Sequence, residues 1–73
     1  MSNGKIIFVE IQAEKIKHIT DDAVLVEIKG REEEKIWIPR SVLSTKTDKA
    51  LDDFLYQKMV MEISDWFVNK KGL

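Results

Sequence analysis

The one histidine, His18, stands between Lys17 and Ile19, with Thr20 next, and the chain has no cysteine. Nucleophilic catalysis would therefore need a serine or threonine with His18 as its base. A histidine among such neighbours, at a strand end, reads as ordinary surface. Carboxylates are paired at Asp21-Asp22 and Asp52-Asp53, but adjacent acids at a turn or a helix start are common solvated features. A calcium loop needs oxygen ligands at set intervals around a sharp glycine turn, and no such series occurs. Gly4, Gly30 and Gly72 are too scattered to build a phosphate-cradling loop. One histidine without cysteine predicts neither a zinc site nor a disulfide framework. The expectation is a non-enzyme with no catalytic residues, no metal and no small-molecule cofactor.

Binding chemistry is better represented. If alternate residues of the apolar segments face a core, then Phe8, Leu25, Trp37 and Val60 fall on the opposite side. Lys5, Lys29, Lys35 and Arg40 lie close to them in sequence. Aromatic rings interleaved with cations on a sheet can stack on bases and track phosphates, each stacked base being worth about 1–3 kcal/mol. The candidate contact residues are Phe8, Lys29, Lys35, Trp37 and Arg40. The same rings can instead pack within the fold, or meet another protein.

Those residues depend on the elements that carry them. From Lys5 to Ala13, Ile7, Val9, Ile11 and Ala13 alternate with Glu10 and Gln12, the period of a half-buried strand. Ile16 and Ile19 continue it after a bend. Thr20-Asp21-Asp22 is turn chemistry, with the aspartates as expected acceptors for nearby amides. Val24, Val26 and Ile28 give a second strand one face, and Gly30-Arg31-Glu32-Glu33 supplies the reversal. Glu34 to Pro39 is a third strand, which Pro39 ends or marks as an edge. Thr45-Lys46-Thr47-Asp48 resembles a capping box, placing a short helix near 47–56. Lys58 to Ile63 alternates again. Ser64 as N-cap, Asp65 at the positive end and Gly72 as the stop frame a final two-turn helix around Trp66, Phe67 and Val68.

With 73 residues, 44% apolar and 34% charged, the chain is sized for one small domain spanning 1–73. Such a chain buries only about 60% of its unfolded surface, so a partner would help to stabilise it. The pattern predicts a β-rich α+β fold. In it, a small antiparallel curled sheet or open barrel of four to five strands carries a short C-terminal helix. Twelve basic residues oppose thirteen acidic ones, which excludes a strongly basic nucleic-acid wrap and an acidic disordered tail. The run Ile6-Ile7-Phe8-Val9 stops at Glu10, too short for a signal peptide, and nothing approaches the roughly 20 apolar residues of a membrane span. A cytoplasmic protein is expected.

Trp37-Ile38-Pro39-Arg40-Ser41 carries a resemblance. The chain is similar to small uncharacterised proteins encoded by phages and other mobile elements. In them an apolar strand like Ala23 to Ile28 leads through a charged turn to a Trp-Ile-Pro-basic-Ser motif. A further strand and a Trp-aliphatic helix ending in Lys-Gly-Leu close the pattern, as Met59 to Ile63, Trp66-Phe67 and Lys71-Gly72-Leu73 do here. The resemblance implies an accessory protein in a host cytoplasm that works by binding. The leading expectation is a protein-interaction module that modulates a host or viral complex, with a homodimer as one form. The second is a single-stranded nucleic-acid binder using the five candidate residues.

Overall fold

The computed structural model describes residues 6–73. Four strands run in the chain order β1 (Phe8–Ile19), β2 (Ala23–Ile28), β3 (Ile36–Pro39) and β4 (Met59–Ser64). Helix α1 (Thr45–Ala50) lies between β3 and β4, flanked by 3-10 turns at Arg40–Val42 and Leu51–Phe54, and α2 (Asp65–Lys71) follows β4. Lys5, where the first strand was expected to start, lies outside the described residues.

β1 is the longest strand because it serves two partners. Its first half, Phe8 to Ala13, pairs antiparallel with Ser64 to Met59 of β4. Its second half, Ala13 to Ile19, pairs antiparallel with Ile28 to Val24 of β2. Two irregularities, between Ala13 and Lys15 and between Ile16 and His18, interrupt the β1–β2 register. Each bulge adds one residue, so the inward step lengthens from two to three. That is why the core-facing series runs Val9, Ile11, Ala13, Ile16, Ile19, and why the expected bend falls where it does.

The sheet order is β3-β2-β1-β4, with every pairing antiparallel. The expectation of a barrel is corrected: the sheet is open and uncurled, with four strands, and β3 and β4 do not meet. Two physical reasons keep it open. β3 has only four residues and ends in Pro39, which has no amide hydrogen to extend a ladder. The outer edge of β4 is already taken at its Glu62–Ile63 end, for Leu43 bridges Ile63 and the Ser44 amide donates to the Glu62 carbonyl at 3.0 Å.

One face of the sheet holds the core. Val24, Val26, Ile28, Ile38, Met59, Met61 and Ile63 are buried there, as their alternation predicted, with Val42, Leu43, Leu51, Phe67 and Val68 packed against them. Ile36, expected among them, is only half-buried at the start of β3. α2 contributes Phe67 and Val68 and stops at Gly72, whose positive φ of 68° lets its amide reach the carbonyls of Val68 and Asn69. Three local details differ from expectation. Thr20, not the aspartates, closes the β1–β2 turn, its hydroxyl accepting from the Ala23 amide at 2.9 Å. Ser44, one residue before the expected box, caps α1, accepting from the Thr47 amide at 3.1 Å. Ser64 sits at the cap position of α2 but its side chain makes no cap bond. No helix among the described residues is long and apolar enough to cross a membrane.

Candidate functional site

The five residues singled out from the sequence are spread over the molecule. Trp37 stands on the open face of β3, 44% exposed, beside Leu25 of β2 and edge-on to His18 of β1 at 6.2 Å between ring centroids. Phe8, 39% exposed, is on the same face but at the far end of β1, ten residues from His18. At about 3.3 Å per residue that is roughly 30 Å. Lys35 shares a shallow hollow of about 160 Å³ with Trp37, Arg31 and Lys71. Lys29 follows the end of β2 and is exposed. Trp37 and Lys35 are therefore brought together, and Phe8 is not.

Arg40 has a structural task. Its Nε donates to Asp48 Oδ1 at 2.7 Å and its Nη1 to the Thr20 carbonyl at 2.9 Å, while its amide donates to the Asp22 carbonyl. It thus ties the start of α1 to the β1–β2 turn. The hydrogen bond to Asp48, with the charges of Asp48, Asp52 and Asp21 behind it, holds the guanidinium above its ordinary pKa.

A larger feature lies at the opposite edge of the open face. Between β1–β4 and the segment α1–Phe54 is a cleft of about 600 Å³, a size that holds a small ligand or a short stretch of peptide. Glu10, Gln12, Val60 and Glu62 form the sheet side, and Ala50 and Phe54 form part of the facing wall. The sequence builds this wall through a compact polar lock. Ser44 Oγ donates to Glu62 Oε1 at 2.8 Å, and the Glu62 amide donates to Thr47 Oγ1 at 2.9 Å. Ser44 and Thr47 are both buried, so these bonds fix α1 against β4 rather than decorate it.

The far end of the cleft is held differently. The Tyr56 amide donates to the Ile16 carbonyl at 2.6 Å, and the Ile16 amide to the Gln57 carbonyl at 3.1 Å, in the stretch between the two bulges of β1. Tyr56 adopts a left-handed φ of 65°, a conformation a non-glycine residue takes at a cost. Its side chain is exposed, as are Phe54 and Val60 nearby in the chain. Lys58 Nζ approaches Glu14 Oε1 at 3.8 Å.

No family model, curated protein or solved structure matches this chain. The resemblance to phage and mobile-element proteins accordingly rests on the quoted residues and motifs alone. The viral, DNA-binding and dimer expectations gain no support from the fold or from these comparisons. What the chain offers is its own geometry. In the motif, Trp37 is on the surface, Ile38 is in the core, Pro39 ends β3 and Arg40 is a clamp.

The cleft residues were not assembled by the sequence reading. Val60 was placed on the face opposite the core and is there, 56% exposed. Glu10 and Glu62 each read only as a polar position of an alternating strand. Their meeting depends on the β1–β4 register, in which Glu10 lies directly opposite Glu62. Phe54 falls within the short helix expected near 47–56. The 3-10 turn instead buries Leu51 and leaves Phe54 at the surface.

Proposed function

We propose that this chain is a non-catalytic protein-interaction module, an adaptor or modulator that presents the open face of its sheet to another protein. The observation that carries this reading is the one-sidedness of the core. Every strand buries one set of alternating residues, and the reverse face still displays Phe8, Trp37 and Val60. The cleft adds Phe54, so apolar surface and polar groups meet there in a concave site. Exposed apolar surface rimmed by charged side chains is the ordinary composition of a protein contact. The rigid lock of Ser44, Thr47 and Glu62 supports the same reading, since a preformed wall lowers the ordering cost of binding.

The test is site-specific photo-crosslinking inside cells with a photoreactive residue at Val60. A defined protein adduct is expected that untagged wild-type chain competes away, with none formed from the same group at Lys70 on α2. Absence of any competable adduct at Val60 overturns the reading.

A further inference from the structure

Backbone directions along β4 show what the cleft is prepared to receive. The Glu62 amide donates to Thr47 Oγ1 and its carbonyl accepts from the Ser44 amide, so both groups point away from β1. Backbone directions repeat every second residue, so the amide and carbonyl of Val60 also point away from β1, toward the cleft wall. Neither has a protein hydrogen-bond partner among the described residues. The cleft therefore contains one residue's length of open strand edge, a place where an extended segment can pair.

The same directions make Glu10 and Glu62 a non-hydrogen-bonded cross-strand pair, the kind whose side chains stand closer together. Like charges directly opposite each other destabilise a sheet. Among the described residues no cationic group lies within 4.0 Å of either carboxylate. Of the lysines lining the cleft, Lys58 is drawn to Glu14, which leaves Lys46 on α1. Counting Glu14, three carboxylates face two ammonium groups. A cation placed beside Glu10 and Glu62 supplies positive charge that this side of the cleft lacks. Val60 and Phe54, both exposed, provide apolar surface for the aliphatic stem that carries such a cation.

We propose that the cleft takes an extended basic segment of a partner protein, pairing with the free backbone of Val60 and setting an arginine or lysine between Glu10 and Glu62. This rests on the reading of the molecule as an interaction module and names the chemistry of its partner. Arginine is the better fit of the two, because its planar fork can bond both carboxylates at once.

The experiment is an NMR titration of the full chain with three capped pentapeptides, Val-Arg-Val-Arg-Val, Val-Gln-Val-Gln-Val and Val-Glu-Val-Glu-Val. The arginine peptide is expected to shift the amides of Val60 and Glu62 and the ring of Phe54. Its affinity should fall as salt is raised, and E10Q should weaken it roughly ten-fold while E10D restores much of the loss. Glu10 is exposed and has no described partner, so E10Q tests charge without disturbing the fold. Equal shifts from the glutamine or glutamate peptide, or an affinity indifferent to E10Q, would overturn the basic partner. So would tighter binding of oligo-dT at the same amides, or no shift from any peptide. A competable Val60 adduct beside any of these failures leaves the interaction reading standing, whereas its absence removes both.

Discussion

Trp37 and Ile38 are adjacent in the chain and belong to one four-residue strand, yet Trp37 is 44% exposed and Ile38 has no accessible surface at all. The strand period sends them to opposite faces, and the two faces have different tasks. Ile38 pairs with Val24 and joins a core completed by helical segments, whereas Trp37 stands beside Leu25 and edge-on to His18 at the rim of a shallow hollow. The difference teaches that apolar character alone does not identify the core in this molecule. A second layer covers one face of the sheet, and among the described residues no equivalent layer covers the other.

Stability measurements on this pair give the largest expected contrast. Ile38→Ala removes a fully buried branched side chain and should cost about 2–5 kcal/mol in urea unfolding. A chain of this length has roughly 4–11 kcal/mol to lose, so this variant approaches the limit of folding. Trp37→Ala removes a larger side chain, but from a half-open face, and should cost about 1 kcal/mol or less. Equal losses at the two positions would mean that the open face is packed as tightly as the core, and the division would fail.

A smaller effect separates the polar lock from the surface it supports. Thr47→Val keeps the shape of a buried side chain but removes the acceptor of the Glu62 amide. A buried donor left without its partner costs about 1–3 kcal/mol. The expected result is a loss in that range, with amide exchange at Glu62 faster than at Met61, whose backbone stays paired to β1. Unchanged exchange at Glu62 would show that α1 is held by its apolar contacts alone, and that the cleft wall is less rigid than the hydrogen bonds imply.

How much of this was legible in the sequence differs by face. Strict alternation in Val24-Leu25-Val26-Glu27-Ile28 and Met59-Val60-Met61-Glu62-Ile63 assigns inward and outward residues directly, since the side-chain period of a strand is fixed. Both helices were legible as elements, α2 from Gly72 at its end and α1 from a cap placed one residue late. Their details were not: α1 ends at Ala50 and gives way to a 3-10 turn where the helix was expected to reach 56, and Ser64 makes no cap bond. Closure was not legible. Whether a sheet joins its edges depends on which edges are occupied, and here Leu43 and Ser44 occupy that of β4 at Glu62 and Ile63. The candidate site fared worst, because a site on a sheet is made by register. Glu10 and Glu62 are 52 positions apart in the chain and meet only through the β1–β4 pairing. Arg40 looked like a free cation because its acceptors, Asp48 and the Thr20 carbonyl, are set by the packing of α1 against the β1–β2 turn.

The smallest expected change in stability carries the sharpest statement about the open face. Val60→Thr exchanges one β-branched side chain for another of the same shape at a position 56% exposed. Strand propensity is retained and the hydroxyl can reach solvent, so unfolding stability should stay within about 0.5 kcal/mol of wild type. The affinity of the arginine peptide should nevertheless drop. One methyl of apolar contact is worth about 0.8 kcal/mol, or roughly four-fold in affinity. In the core the same exchange would place an unpaired hydroxyl among Met61, Ile63 and Leu51 and cost stability first. On the open face it should cost binding and little else. A stability loss without a binding loss would make Val60 part of the fold's own packing, and the boundary between the two faces would have to be drawn beyond β4.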